Sequence, residues 1–156
     1  MELYQLHYKK AVDFFKSADH LIYVTMPVVR DVKIITTVLD NVHLALLHGM
    51  DAALEYERHF RRVLPLATNF DLRFDVFKKR VVGKQGISIQ EADFIAEIKN
   101  LVDERKGASM EFTRSGKVII CSEDYNMKTL SIEEIKKYLS TTRNFLAKVS
   151  GMIKNG

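Results

Sequence analysis

One long stretch without a helix breaker constrains this chain more than any other feature. Residues 31–64 read DVKIITTVLDNVHLALLHGMDAALEYERHFRRVL and run into Pro65. At 1.5 Å per residue, a helix over Asp31–Leu64 extends roughly 50 Å, long enough to be the spine of a bundle. Asp31 suits the N-cap position, and Pro65 lacks the amide needed to continue. On a helical wheel Val42, Leu46, Met50, Ala53, Leu54 and Phe60 share one side, and His48, Asp51, Glu55, His59 and Arg62 share the other. Such an amphipathic helix uses its length for packing.

The flanking segments supply partners for this spine. Tyr4, His7, Ala11, Phe14, Ala18, Leu21 and Thr25 keep a three-four spacing, which predicts a first helix over about Glu2–Thr25, broken by Met26-Pro27. Small residues alternate with large ones along this seam and allow close approach. Thr68-Asn69 opens a third helix with Phe70, Phe74, Phe77 and Val81 on one stripe and Gly83 as its stop. Ser88 and Glu91 form an S-x-x-E capping box before a fourth helix that buries Ile95, Ile98, Leu101 and Val102 and ends at Gly107. Residues 109–122 read as a β-hairpin turning at Arg114-Ser115-Gly116. A second box, Ser131 and Glu134, opens a last helix whose stripe runs from Ile132 and Ile135 to Val149 and Ile153. The expected fold is mainly α: one domain over 1–156, a bundle of about five helices with a small β-hairpin before the C-terminal helix.

Composition narrows the functional classes. A chain of 156 residues builds a core without metals or disulfides, and its single cysteine, Cys121, excludes an intrachain disulfide or multi-cysteine zinc site. The N-terminus MELYQLHYKK carries charges where a signal peptide needs an apolar run, so a cytoplasmic location is expected. No stretch approaches the apolar length of a membrane span, so no membrane partner is expected. A formal charge of +4 permits an acidic or nucleic-acid partner without requiring one.

Three groups of residues could carry chemistry. His48, Asp51, Glu55 and His59 lie in one helical row and are weak metal candidates. They span more than about 16 Å and cannot all hold one ion. No E-x-x-H of the helical di-metal kind occurs. The simpler reading is a solvated polar face with Glu55 and His59 as an i,i+4 pair, no metal and no cofactor. Glu57 falls inside the apolar arc and must be paired. Arg61, one turn on, is the expected partner, with His43 near the same meridian four turns earlier. Glu57, Arg61 and His43 are therefore a candidate pocket or ion pair. His7 and His43 read as satisfied core histidines, and Cys121 as a structural thiol.

The cations Arg58, Arg62, Lys78, Lys79 and Arg80 are the candidate nucleic-acid contacts, provided that they converge beside exposed aromatics. Each of these clusters otherwise reads as a solvated face. No phosphate-binding glycine loop occurs: GKQG at 83–86 does not fit G-x-x-x-x-G-K-[ST]. G-x-S-x-G and H-E-x-x-H are also missing.

The segment NVHLALLHGMDAALEYER, residues 41–58, resembles a core helix of the HEPN group of small helical bundles. The resemblance covers the first two helices and implies a bundle that often dimerises, in a group with many ribonucleases and toxin–antitoxin partners. In layout the chain is also similar to small archaeal helical proteins. The HEPN ribonuclease signature is an arginine followed four to six residues later by histidine. Here Arg58 is followed at once by His59, and Arg143 leads to Asn144 and apolar residues. The resemblance therefore implies a bundle without that catalysis. The leading expectation is a non-enzymatic helical module for homodimerisation or protein-partner binding. The alternatives are an RNA- or nucleotide-binding protein and, third, a metal-dependent enzyme using the His48 row.

Overall fold

The spine helix forms, and it is shorter at both ends than its pattern predicts. A computed structural model describes residues 1–108, 110–122, 124 and 126–155 (Asn155 by its backbone alone). In chain order the elements are α1 (Leu3–His20), a π-helical turn (Leu21–Thr25), α2 (Met26–Val29), α3 (Ile34–His59), α4 (Phe70–Arg80) and a 3₁₀ turn (Lys84–Gly86). Then follow α5 (Ile89–Lys106), β1 (Met110–Arg114), β2 (Lys117–Cys121), β3 (Met127–Leu130) and α6 (Ile132–Asn155). The fold is mainly α with five long helices, as the periodicity predicts.

α3 is central, with Val38, Leu39, Val42, Ala45, Leu46, Met50, Ala53 and Leu54 all buried. α1 lies antiparallel against it, so that Tyr4 meets Tyr56 at 5.1 Å while Phe14 reaches back to His48 at 5.7 Å. Ala11 and Ala18 are fully buried in this contact, as expected for small residues in a close seam. α6 approaches α3 at Gly49, where a Cβ would lie 2.7 Å from Leu146 Cδ2 and 3.0 Å from Phe145 Cε2. Any larger residue here would force the Leu146 and Phe145 side chains to shift. Among the described residues no helix is long and apolar enough to cross a membrane.

Both ends of α3 depart from expectation for local reasons. Asp31 does not cap it; its Oδ1 accepts a hydrogen bond from the Lys33 amide at 3.0 Å in a preceding turn, and Lys33 takes the cap position. At the other end the Arg61 amide donates to the Arg58 carbonyl (2.9 Å) and the Arg62 amide to the Glu57 carbonyl (2.9 Å). These are the two bonds of a Schellman stop, with Arg61 in the left-handed position at φ 58°. The helix therefore ends at His59, and Pro65 lies beyond the loop that follows.

Met26-Pro27 does not break the first helical run. The π-turn widens the backbone, the Met26 amide donates to the Leu21 carbonyl, and Pro27 sits in the first turn of α2, where its missing amide costs nothing. The expected hairpin forms through a two-residue turn, with Ser115 at φ 54° and Gly116 at φ 74° between the paired Arg114 and Lys117. Positive φ at both positions is the primed turn that suits strand twist. Its expected first residue, Ser109, lies outside the described residues. A third strand, β3, extends the hairpin to an antiparallel sheet in the order β1-β2-β3. Val118, Ile120 and Leu130 bury the inner face, whereas β1 is exposed along its length.

The box at Ser88 forms in full, and Ser131 caps the last helix. Ser88 and Glu91 bond each other's backbone amides, and Ser131 Oγ accepts from the Glu134 amide at 3.2 Å. The α6 stripe is buried at Ile135, Leu139, Thr142, Phe145, Leu146, Val149 and Met152.

Candidate nucleic-acid interface

The Schellman stop of α3 and the last turn of α4 bring two basic segments together. Asn69 caps α4, its Oδ1 accepting from the amides of Asp71 (2.8 Å) and Leu72 (3.3 Å). The returning chain then faces residues 61–67 across an open cleft of about 510 Å³. Arg61, Arg62, Lys79 and Arg80 line it over an apolar floor that includes Leu64, Leu66, Leu72 and Val76. An adjoining recess adds Arg58 and His59. Of the expected contacts, Arg58, Arg62, Lys79 and Arg80 therefore converge. Lys78 does not line the cleft; its Nζ lies 5.0 Å from the Phe74 ring centroid.

The charges in the cleft differ in their commitments. Lys79 Nζ pairs with Asp75 at 2.9 Å on the surface. Arg61 and Arg80 have no ion-pair partner among the described residues. The Arg62 guanidinium lies over the rings of Tyr56 (5.4 Å) and Phe60 (5.1 Å), and Phe60 is 46% exposed. A cation cluster with an exposed aromatic beside it is what single-stranded nucleic acid requires.

Glu57 lies beneath this surface and is 1% exposed. It does not pair with Arg61. Its Oε2 accepts from Arg62 Nε at 2.6 Å and Lys84 Nζ at 2.8 Å, and its Oε1 from Arg62 Nη2 at 3.4 Å. The i+4 expectation fails because the helix stops at His59 and the turn carries Arg61 outward and Arg62 back. Burial alone raises the Glu57 carboxyl, but the Arg62 and Lys84 hydrogen bonds outweigh it and hold the group below the usual carboxylate range. His43 is not part of this group. It lies half-buried among the charges of Asp103, Lys106 and Lys99, and burial lowers its pKa.

The His48–His59 row is not a solvated face, and it divides among separate partners. His48 meets His7 of α1, with Nδ1 to Nδ1 at 3.0 Å. Asp51 pairs with Arg73 at 2.9 Å. Glu55 is 6% exposed and pairs with Arg58 at 2.5 Å and Arg73 at 3.6 Å, in place of the expected His59. His59 instead faces Glu2 at 3.5 Å and the ring of Tyr4 at 5.3 Å.

Lys84, Arg73 and His7 are the residues that sequence reasoning missed. Each joins its partner across a long loop or between helices, and periodicity within one helix carries no such signal.

No protein-family model matches the chain, and no curated protein matches it.

Arg61 holds the left-handed conformation that glycine adopts without strain. Replacing Arg61 with Gly is expected to stabilise the fold by about 0.5–1 kcal/mol. A urea midpoint that rises in Arg61→Gly while anion binding weakens would show that the strain is retained for the side chain.

Proposed function

We propose that this protein binds single-stranded RNA through the cleft between the end of α3 and the end of α4. The observation that carries this reading is the convergence of Arg61, Arg62, Lys79 and Arg80, from two separate segments, on one open cleft. The guanidiniums offer planar forks to phosphate oxygens. The apolar floor offers surfaces on which bases stack, and Phe60, 46% exposed under the Arg62 guanidinium, stands beside the cleft.

The HEPN-like reading agrees with this role. A bundle related to RNA-processing proteins but lacking their arginine–histidine signature would hold RNA without cutting it. The recess adjoining the cleft holds His59, whose imidazole faces Glu2 and Tyr4.

The test is fluorescence anisotropy of a labelled unstructured RNA across a salt series. Four phosphate contacts predict a log–log slope of about −2.8, or a loss of roughly 50-fold in affinity between about 50 and 200 mM salt. Binding that is flat across that range, or equal for duplex and single strand, would sink the reading.

Homodimerisation or partner binding is the second reading. The seams of α1 and α6 pack within the chain at Ala11, Ala18, Ile135, Leu139, Phe145 and Val149. The observation that favours it is the edge strand β1, where Met110 is 58% and Phe112 37% exposed. An unpaired edge of this kind can add a strand from another chain. Light scattering across a concentration series tests it: a dimer is expected, and a monomer at every concentration would contradict it.

A further inference from the structure

A separate cluster lies on the other flank of α3. His7 of α1 faces His48 of α3, their Nδ1 atoms 3.0 Å apart and their ring centroids 5.3 Å apart with the planes inclined at 30°. Asp51 follows His48 by one helical turn and projects on the same side. One ligand atom from each of the three residues lies within 4.8 Å of the other two. We propose that His7, His48 and Asp51 bind one divalent transition-metal ion, of the zinc or cobalt class.

The geometry suits such an ion. Two imidazole nitrogens bound at about 2.05 Å stand about 2.9 Å apart at a right angle and about 3.3 Å apart at the tetrahedral angle. The observed 3.0 Å lies between these limits. Without an ion, two half-buried imidazoles at this distance can share only one proton between them. Burial lowers the pKa of both rings, and each is further lowered or raised by its charged neighbours to a smaller extent. Two imidazoles and one carboxylate favour zinc, cobalt or nickel over magnesium and calcium, which prefer all-oxygen sites.

The surroundings hold the donors in place. The Phe14 ring lies against His48 at 5.7 Å and 5° from parallel. Arg73 grips Asp51 Oδ1 with Nε at 3.0 Å and Nη2 at 2.9 Å, as outer partners of ligating carboxylates do. Asp51 and Glu55 balance the charge of Arg73. His7 and Asp51 line a cavity of about 360 Å³ together with Arg73 and Lys99. Three protein donors leave a further coordination position open towards this cavity. A solvent molecule is the fourth donor that such a site takes.

The experiment uses the full chain without an affinity tag, stripped with a chelator and titrated with Co²⁺ and then Zn²⁺. Visible absorption and calorimetry follow the binding. The expected result is one Co²⁺ per chain, visible d–d bands and displacement by Zn²⁺. Affinity should fall more than about tenfold in both His7→Gln and Asp51→Asn and stay unchanged in His59→Gln. If His7→Gln fails to fold, His48→Gln replaces it. No uptake, uptake indifferent to these substitutions, or uptake lost in His59→Gln would overturn the site.

Discussion

Glu57→Gln is expected to destabilise the protein by about 2 kcal/mol, a fall in melting temperature of roughly 4–8 °C for a domain of this size. The carboxylate is 1% exposed and accepts hydrogen bonds from Arg62 and Lys84. Glutamine keeps the shape but turns an amide donor towards two cations. The loss is smaller than the 3–5 kcal/mol typical of a broken buried pair. Arg62 and Lys84 are each 44% exposed along their side chains and turn to water once released.

The sign of the pH effect follows from the lowered pKa. The folded carboxyl titrates below its ordinary value of 4.5, so the charged form is favoured in the fold. The stabilisation is therefore full above 4.5 and disappears as pH falls through the folded value. Urea midpoints of the wild type and Glu57→Gln should differ at pH 7 and converge towards pH 3. A gap that is absent at pH 7, or the same at both, would refute a buried ionised carboxylate.

The second large effect is on binding. Arg61→Ala combined with Arg80→Ala is expected to weaken single-stranded RNA binding on the order of 100-fold at low salt. This assumes about 1.5 kcal/mol per lost charge-assisted contact. The salt slope should fall from about −2.8 to about −1.4. These two arginines are chosen because neither has an ion-pair partner among the described residues. Their removal leaves the fold's own pairs intact, so melting temperature should hold while affinity falls. Unchanged affinity in this variant would place any RNA contact elsewhere.

Much of the architecture was legible in the residues. The seams of α1 and α6 and the boxes at Ser88 and Ser131 are local patterns, and local hydrogen bonds and packing honour them. The end of α3 was not legible. Arg61 occupies a position where glycine would have marked the stop, and only the folded turn reveals it. The third strand, MKTL, buries a single residue, Leu130, and so carries little alternation to read. Glu57 was recognisable as a buried acid because its wheel position is a matter of period alone. Its partner Lys84 lies 27 residues on, across two connections, and no spacing rule reaches that far. The pairing of His7 with His48 likewise depends on how α1 and α3 are offset, which the chain settles only by packing. The basic segments were visible, but their convergence depends on the turn at Arg61.

We propose that this cleft holds single-stranded RNA. Amide chemical-shift mapping during titration with an unstructured RNA tests it most directly. Progressive shifts confined to residues 58–67 and 76–84 are expected. No shifts, or shifts centred on the β1 edge at residues 110–114, would contradict it.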